Sequence, residues 1–165
     1  MALTYDGQNR LSAFDEQTSS GSYRTTYAYD KDNRATAIQF GDATHKVDYT
    51  YDALNRIATR KVTNGTNTFQ STYAYVGGNT SMYGAGATTP LVSKITQPQI
   101  SFEYAYDSRG NITSEKRGSL TTTYQYDAIG QLIRVNDPHE NATWVYNYDR
   151  GGNITSKVKY AYTTG

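Results

Sequence analysis

Five aspartates, Asp30, Asp52, Asp107, Asp127 and Asp149, each directly follow the second tyrosine of a Tyr-x-Tyr run. Carboxylates of this kind can do acid–base chemistry or hold calcium, provided that several converge on one point. These five are spaced along the chain, one to each copy of a recurring phrase, so convergence is not expected. A turn role suits them better: an Asp side chain accepts a hydrogen bond from the backbone N–H two residues on and starts a chain reversal. The two histidines, His45 and His139, are far apart in sequence and lack the converging partners that a general base or a metal ligand needs. The glycine-containing loops lack the fixed pattern and following helix of a phosphate cradle. With no cysteine there is no disulfide, thiolate metal site or thiol nucleophile. No catalytic, cofactor-binding or metal-binding residue is therefore assigned, and the chain does not read as an enzyme.

The second chemical possibility lies in the aromatic rings. Of 17 tyrosines, all but Tyr23 and Tyr83 belong to the recurring phrase. Flat aromatic surfaces can stack on sugars, which makes Trp144, Tyr146 and Tyr83 an alternative glycan-binding surface. The stronger reading is packing, because aliphatic residues are scarce and mean hydropathy is −0.74, leaving the rings as the main source of buried surface. Single-stranded nucleic acid also uses aromatic platforms, but it needs a basic groove that a net charge of +1 does not supply.

The elements that must position these groups follow from the repeat. The phrase YAYDSRGNI from Tyr104 returns as YDGQNRL from Tyr5, YAYDKDNRA from Tyr27, YTYDALNRI from Tyr49, YQYDAIGQL from Tyr124 and YNYDRGGNI from Tyr146. A weakened copy begins at Tyr73 and a truncated one at Tyr160. The period, about 22 residues, is that of a tandem array. Two tyrosines two places apart share one face of an extended strand, and Ile100, Phe102, Tyr104 and Tyr106 continue that alternation. Three places beyond each Asp stands Asn9, Asn33, Asn55, Gly110, Gly130 or Gly152. Asn and Gly are the types that tolerate left-handed backbone, so this slot is the corner of a tight turn. An apolar residue two places later (Leu11, Ala35, Ile57, Ile112, Leu132, Ile154) starts the returning strand.

The expected fold is all-β: tandem antiparallel β-hairpins, about seven units, forming a twisted strip or partial spiral shell as a single array over residues 1–165. Asn64-Gly65 is a two-residue hairpin signal, and Asn136-Asp137-Pro138 is read as a turn. Residues 77–90 are a Gly, Thr and Ala-rich insertion, read as a solvated loop. No apolar run reaches membrane-span length and no secretory leader is visible. Met1-Ala2 runs straight into a repeat, which suggests a piece of something longer. Unpaired strand edges make self-association the expected behaviour of the isolated segment.

The phrase YxYDxxGxL at this spacing resembles the YD repeat of the RHS family. That family includes bacterial polymorphic toxins, wall-associated proteins, the C subunits of insecticidal toxin complexes, and the teneurins. Tyr27, Tyr29, Asp30 and Asn33 match its repeat, as do Tyr49, Tyr51, Asp52 and Asn55, and Tyr104, Tyr106, Asp107 and Gly110. So do Tyr124, Tyr126, Asp127 and Gly130, and Tyr146, Tyr148, Asp149 and Gly152. The resemblance implies structural roles for these residues, in a β-strip wound into a hollow shell that encloses a toxic polypeptide. It also implies a bacterial parent protein that is secreted or displayed at the cell surface, with other YD repeats and an enclosed toxin as partners. The family's self-cleaving core, with its Asp-Pro-x-Gly motif, is not found: Asp137-Pro138-His139 is followed by Glu140.

Overall fold

A computed structural model describes residues 1–77 and 88–163. The described residues are strands joined by turns, with no helix long and apolar enough to cross a membrane. Two compact units divide the chain between Tyr73 and Ala74.

The first unit holds β1 (Ala2–Tyr5), β2 (Leu11–Thr18), β3 (Gly21–Tyr29), β4 (Ala35–Phe40), β5 (His45–Tyr51), β6 (Ile57–Asn64) and most of β7 (Asn67–Tyr75). The second holds β8 (Val92–Thr96), β9 (Ser101–Tyr106), β10 (Ile112–Arg117), β11 (Leu120–Tyr126), β12 (Leu132–Asp137), β13 (Ala142–Tyr148) and β14 (Ile154–Ala161). In both, strands pair with their chain neighbours and every described pairing is antiparallel. The expected all-β fold of tandem hairpins is what the chain adopts, and each expected apolar residue from Leu11 to Ile154 does open a returning strand.

The corners explain why the reversals fall where they do. Asn9, Asn33 and Asn55 sit at φ of 62° to 63°, and Gly110, Gly130 and Gly152 at 85° to 89°. These are left-handed conformations that most L-residues avoid and Asn or Gly accept. Ahead of each corner the Asp takes two backbone bonds on one oxygen. Asp30 Oδ1, for example, accepts from Asp32 N and Arg34 N, both at 2.9 Å. The loop closes through Asp30 N–H to the Arg34 carbonyl (3.0 Å) and Asn33 N–H to the Asp30 carbonyl (3.2 Å). At each of these hairpins the register shifts just before the second tyrosine, as between Ala28 and Tyr29, the mark of one extra residue in the loop strand.

Two expectations need correction. Asn64 and Gly65 are not together the hairpin loop: Asn64 still pairs with Asn67, so the loop is Gly65-Thr66. Only Gly65, at φ 61°, takes the left-handed conformation there. The turn expected at Asn136-Asp137-Pro138 also begins later, since both Asn136 and Asp137 remain paired in β12 and the left-handed residue is Asn141, φ 48°.

Few of the described side chains are fully buried. The most buried side chains are small or polar: Ala13, Ala142 and Val135, with Ser71, Thr122, Asn136 and Thr143. Apart from the exposed Tyr5 and Tyr160, the phrase tyrosines are half-buried, alternating with exposed neighbours such as Ala28, Ala105, Gln125 and Asn147. The buried Asn136 has partners at both of its side-chain polar atoms, accepting from Arg134 Nε (2.9 Å) and Thr143 Oγ1 (3.0 Å) and donating to Thr123 Oγ1 (3.2 Å). Such pairing is required of a polar side chain removed from water.

Candidate functional site: the tyrosine face and its joints

In each unit the second tyrosine of a copy reaches back to the preceding returning strand. Tyr29 Oη donates to the Leu11 carbonyl (2.9 Å) and Tyr51 Oη to that of Ala35 (2.7 Å). In the second unit Tyr106 reaches Val92 (2.7 Å), Tyr126 reaches Ile112 (2.9 Å) and Tyr148 reaches Leu132 (2.7 Å). The acceptor is in every case the first residue of that strand. One side chain per repeat thus satisfies the phenol and the neighbour's backbone together.

A second set of contacts runs beside these. Arg10 is held by Asp6 Oδ2 through Nε (2.7 Å), and its Nη1 crosses to Asn33 Oδ1 (2.8 Å) and the Asp30 carbonyl (3.1 Å). Arg34 repeats this with Asp30 Oδ2 (2.6 Å) and Asn55 Oδ1. Each guanidinium carbon lies 4.6 Å from a tyrosine ring centre, Arg10 over Tyr29 and Arg34 over Tyr51. In the second unit amides replace the arginines, with Asn111 Nδ2 donating to Asp107 Oδ2 (2.9 Å) and Asn153 Nδ2 to Asp149 Oδ2 (3.0 Å).

The expected aspartates therefore stay apart, each committed to its own turn. Their electrostatics agree. The Arg10 N–H groups, backbone first, hold the Asp6 carboxyl below its ordinary range. Around Asp30 and Asp52 partial desolvation is the largest influence and opposes ionisation, yet the combined donors, led by the backbone N–H of Arg34 and Arg56, bring both carboxyls down. The side-chain amides of Asn111 and Asn153 do the same for Asp107 and Asp149. Tyr124 moves the other way. Desolvation, then the Glu115 carboxylate 3.4 Å from its hydroxyl, pushes its phenol up to about 12.

His45 opens β5 just after the Asp42 turn, and His139 lies in a turn. His45 Nδ1 contacts Asp42 Oδ1 (3.1 Å) and Thr44 Oγ1 (3.0 Å), so carboxylate and hydroxyl share one ring nitrogen instead of flanking the ring as a relay requires. The Thr44 hydroxyl, then the His45 ring, lower Asp42 to about 2. Among the described residues no three His, Cys, Asp or Glu side chains gather as a metal site.

The alternative glycan surface is partly occupied by the chain's own cations. Lys157 Nζ lies 4.3 Å from the Trp144 ring centre and 5.6 Å from that of Tyr146, and Lys159 Nζ lies 5.2 Å from Trp144. The indole N–H donates to Glu140 Oε2 (3.1 Å). Tyr83 and most of the 77–90 insertion lie outside the described residues. The insertion's stem keeps the geometry of a regular corner: Val76 N–H meets the Leu91 carbonyl (2.8 Å), as Asp30 N–H meets that of Arg34.

What sequence reasoning passed over is a band across the tyrosine face of the first unit. Cross-strand register places Leu3 opposite Phe14, Phe14 opposite Thr25, and Thr25 opposite Phe40. Ile38 then faces Val47, Val47 faces Val62, and Val62 faces Phe69. Phe40 is 50% exposed, Phe69 43% and Tyr23 55%. Tyr23, Phe40, Val47 and Val62 line an open concavity of about 620 Å³ together with Thr25, His45 and Asn64. On the opposite face the same strands carry Asp15 against Arg24, Gln39 against Lys46, and Asp48 against Lys61. The alternation of apolar and polar residues in β3 to β6 was the signal for this band.

Comparison with known proteins agrees with the repeat. Residues 92–164 match the family described as Teneurin YD-shell. No curated protein matches the sequence. Two crystal structures are similar over 96% of this chain, TcdB2-TccC3-Cdc42 with TM-score 0.74 and TcdB2-TccC3-TEV with TM-score 0.73, each at 19% identity. The chain spans 9% of the length of those chains, and at this identity the likeness is one of fold.

Proposed function

We propose that this chain, a YD-repeat array of the RHS family, is a wall segment of a larger secreted or surface protein, in which it lies as one continuous array. Its tyrosine face lines the interior and meets an enclosed toxin polypeptide. The segment supplies enclosure and contact surface, with no turnover of its own. The observation that carries this reading is the apolar band from Leu3 and Phe14 to Val62 and Phe69, left open on one face while the other is polar and charged. Open apolar surface of this extent marks a contact surface, and an unfolded chain rich in apolar side chains is the occupant that a long shallow band suits.

The test uses the 165-residue chain and a reduced, alkylated, permanently unfolded polypeptide as probe. Binding should be weakened at least fivefold by Phe40→Ser with Phe69→Ser and left alone by Gln39→Ser with Gln70→Ser on the opposite face. Equal loss from both pairs, or none from either, would remove the reading. The glycan-binding alternative draws little support from Trp144, since a sugar would have to displace the Lys157 and Lys159 ammonium groups from its faces.

A further inference from the structure

Resting on the wall reading above, we propose that the first unit's tyrosine face receives an acidic, apolar segment of the enclosed chain, and that Arg60 selects its carboxylate. The charge inventory of the unit singles this residue out. Residues 1–73 contain five arginines, Arg10, Arg24, Arg34, Arg56 and Arg60. Four are paired with carboxylates at 2.6 to 3.4 Å, Arg10 with Asp6, Arg24 with Asp15, Arg34 with Asp30 and Arg56 with Asp52. Arg60 makes no ion pair, side-chain hydrogen bond or ring contact among the described residues.

Its place is beside the apolar band. Register puts Arg60 between Tyr49 on β5 and Ser71 on β7. Two places on along β6 stands Val62, which faces Val47 on one side and Phe69 on the other. Side chains two apart on a strand share a face and lie about 7 Å from each other. These neighbours are a phenol, a hydroxyl and an aliphatic side chain, so none supplies an anion. Asp48 lies across the ladder from Lys61 on the opposite face and is held by Lys46 Nζ at 3.1 Å. Arg60 is half-buried. A guanidinium drawn partly from water without an anion leaves an unmatched positive charge at the rim of an apolar surface.

Charge complementarity then names the guest. An extended polypeptide has the same two-residue spacing, so a Glu or Asp within two residues of Leu or Phe meets Arg60 while its neighbours rest on Val47, Val62 and Phe69. Arginine suits this role, since its planar fork takes a carboxylate through two parallel hydrogen bonds. A wholly apolar guest leaves the guanidinium uncompensated, and one carrying Lys at that place is repelled.

The test titrates the full chain with labelled peptides of about ten residues, enough in extended form to cross the first unit's strands. Three peptides are alike except that Glu, Gln or Lys stands two places from a Phe. The Glu peptide should bind about fivefold tighter than the Gln peptide, the scale of a partly exposed ion pair, and the Lys peptide weakest. Raised salt should narrow the gap between Glu and Gln. In Arg60→Met, which keeps the alkyl stem, those two peptides should bind alike, and in Arg60→Glu the Lys peptide should become the tightest. Arg60→Lys should keep the parent's order with a smaller gap. Urea midpoints close to the parent's would show these variants folded. Phe40→Ser with Phe69→Ser should weaken all three peptides together. Equal binding of Glu and Gln by the parent, or a gap that persists in Arg60→Met, would overturn the role of Arg60, and the wall reading would stand if the phenylalanine pair still mattered. Binding of no peptide would remove both. A dimer that Phe40→Ser with Phe69→Ser dissociates and no peptide displaces would mean that a second copy covers the band, and would also overturn the proposal.

Discussion

Tyr29 Oη lies 2.9 Å from the carbonyl oxygen of Leu11, and the two residues belong to neighbouring repeats. The same bond ties Tyr51 to Ala35, whereas the first tyrosine of that copy, Tyr49, makes no side-chain hydrogen bond among the described residues. The two rings share a face, and although Tyr51 also carries Arg34 over its ring, a phenylalanine keeps that contact and loses only the bond. Tyr51→Phe should therefore destabilise the first unit by about 1 kcal/mol, the net worth of a typical intramolecular hydrogen bond, while Tyr49→Phe stays within about 0.5 kcal/mol. Urea denaturation of the two variants decides it, and equal effects would mean that the latch adds nothing.

Gly130 isolates the conformational demand of the corner. A Cβ built there meets no atom within 4 Å, yet φ is +89°. Gly130→Ala should cost on the order of 1–2 kcal/mol through backbone strain alone, and Gly130→Asn clearly less, because Asn accepts left-handed backbone. Thermal unfolding of both variants tests this. A harmless alanine would show that the loop relaxes to another turn.

The contrast between Asn33 and Leu11 shows what the sequence made legible. A corner at Asn33 selects residue types, and the copies spell it out, so hairpins, returning strands and the shared tyrosine face could all be read. The Leu11 carbonyl that Tyr29 seeks is backbone, which leaves no trace in residue type. Asn64-Gly65 misled because the pair signals a loop of two left-handed residues, while the neighbouring ladder keeps Asn64 paired with Asn67 and needs Gly65 alone. The Arg10 to Asn33 joint was present as the recurrence of Asn-Arg at the first three corners. It becomes visible only when neighbouring copies are placed side by side. The apolar band was read strand by strand as packing, since the sequence does not say whether a second layer covers it.

Acid should loosen the turns in a defined window. The carboxyls of Asp6, Asp30, Asp52, Asp107 and Asp149 are all lowered from 3.8 in the folded chain. The unfolded state then binds protons first, so their contribution is complete above the unfolded value and is lost as pH falls through the folded ones. Thermal midpoints should hold steady from neutral pH to about 5 and fall steeply below about 4. Asp52→Asn, which keeps an acceptor oxygen but cannot ionise, should flatten part of that fall. An unchanged slope would place the acid sensitivity elsewhere.

Alkali acts on the same architecture with the opposite sign. Tyr51, Tyr104 and Tyr126 are raised from 10.0 chiefly by desolvation, and Tyr124 to about 12 by desolvation and then the Glu115 carboxylate. A phenol whose folded value exceeds its unfolded one contributes stability in full below about 10, and that contribution is lost as pH climbs through the folded value. The chemistry behind the sign is direct, since a phenolate has no proton to give to the Ala35 or Ile112 carbonyl and is repelled by Glu115. Phenolate absorbance followed with circular dichroism should show some tyrosines ionising near 10 with the strands intact, then a cooperative loss of strand signal as the pH approaches 12. Tyr124→Phe should blunt that second step. Glu115→Gln should move the ionisation of Tyr124 downward without abolishing it, because desolvation remains the larger cause. A single ionisation step near 10, with strands persisting beyond 12, would mean that these rings are as open to water as free tyrosine and that the latches do not hold the repeats together.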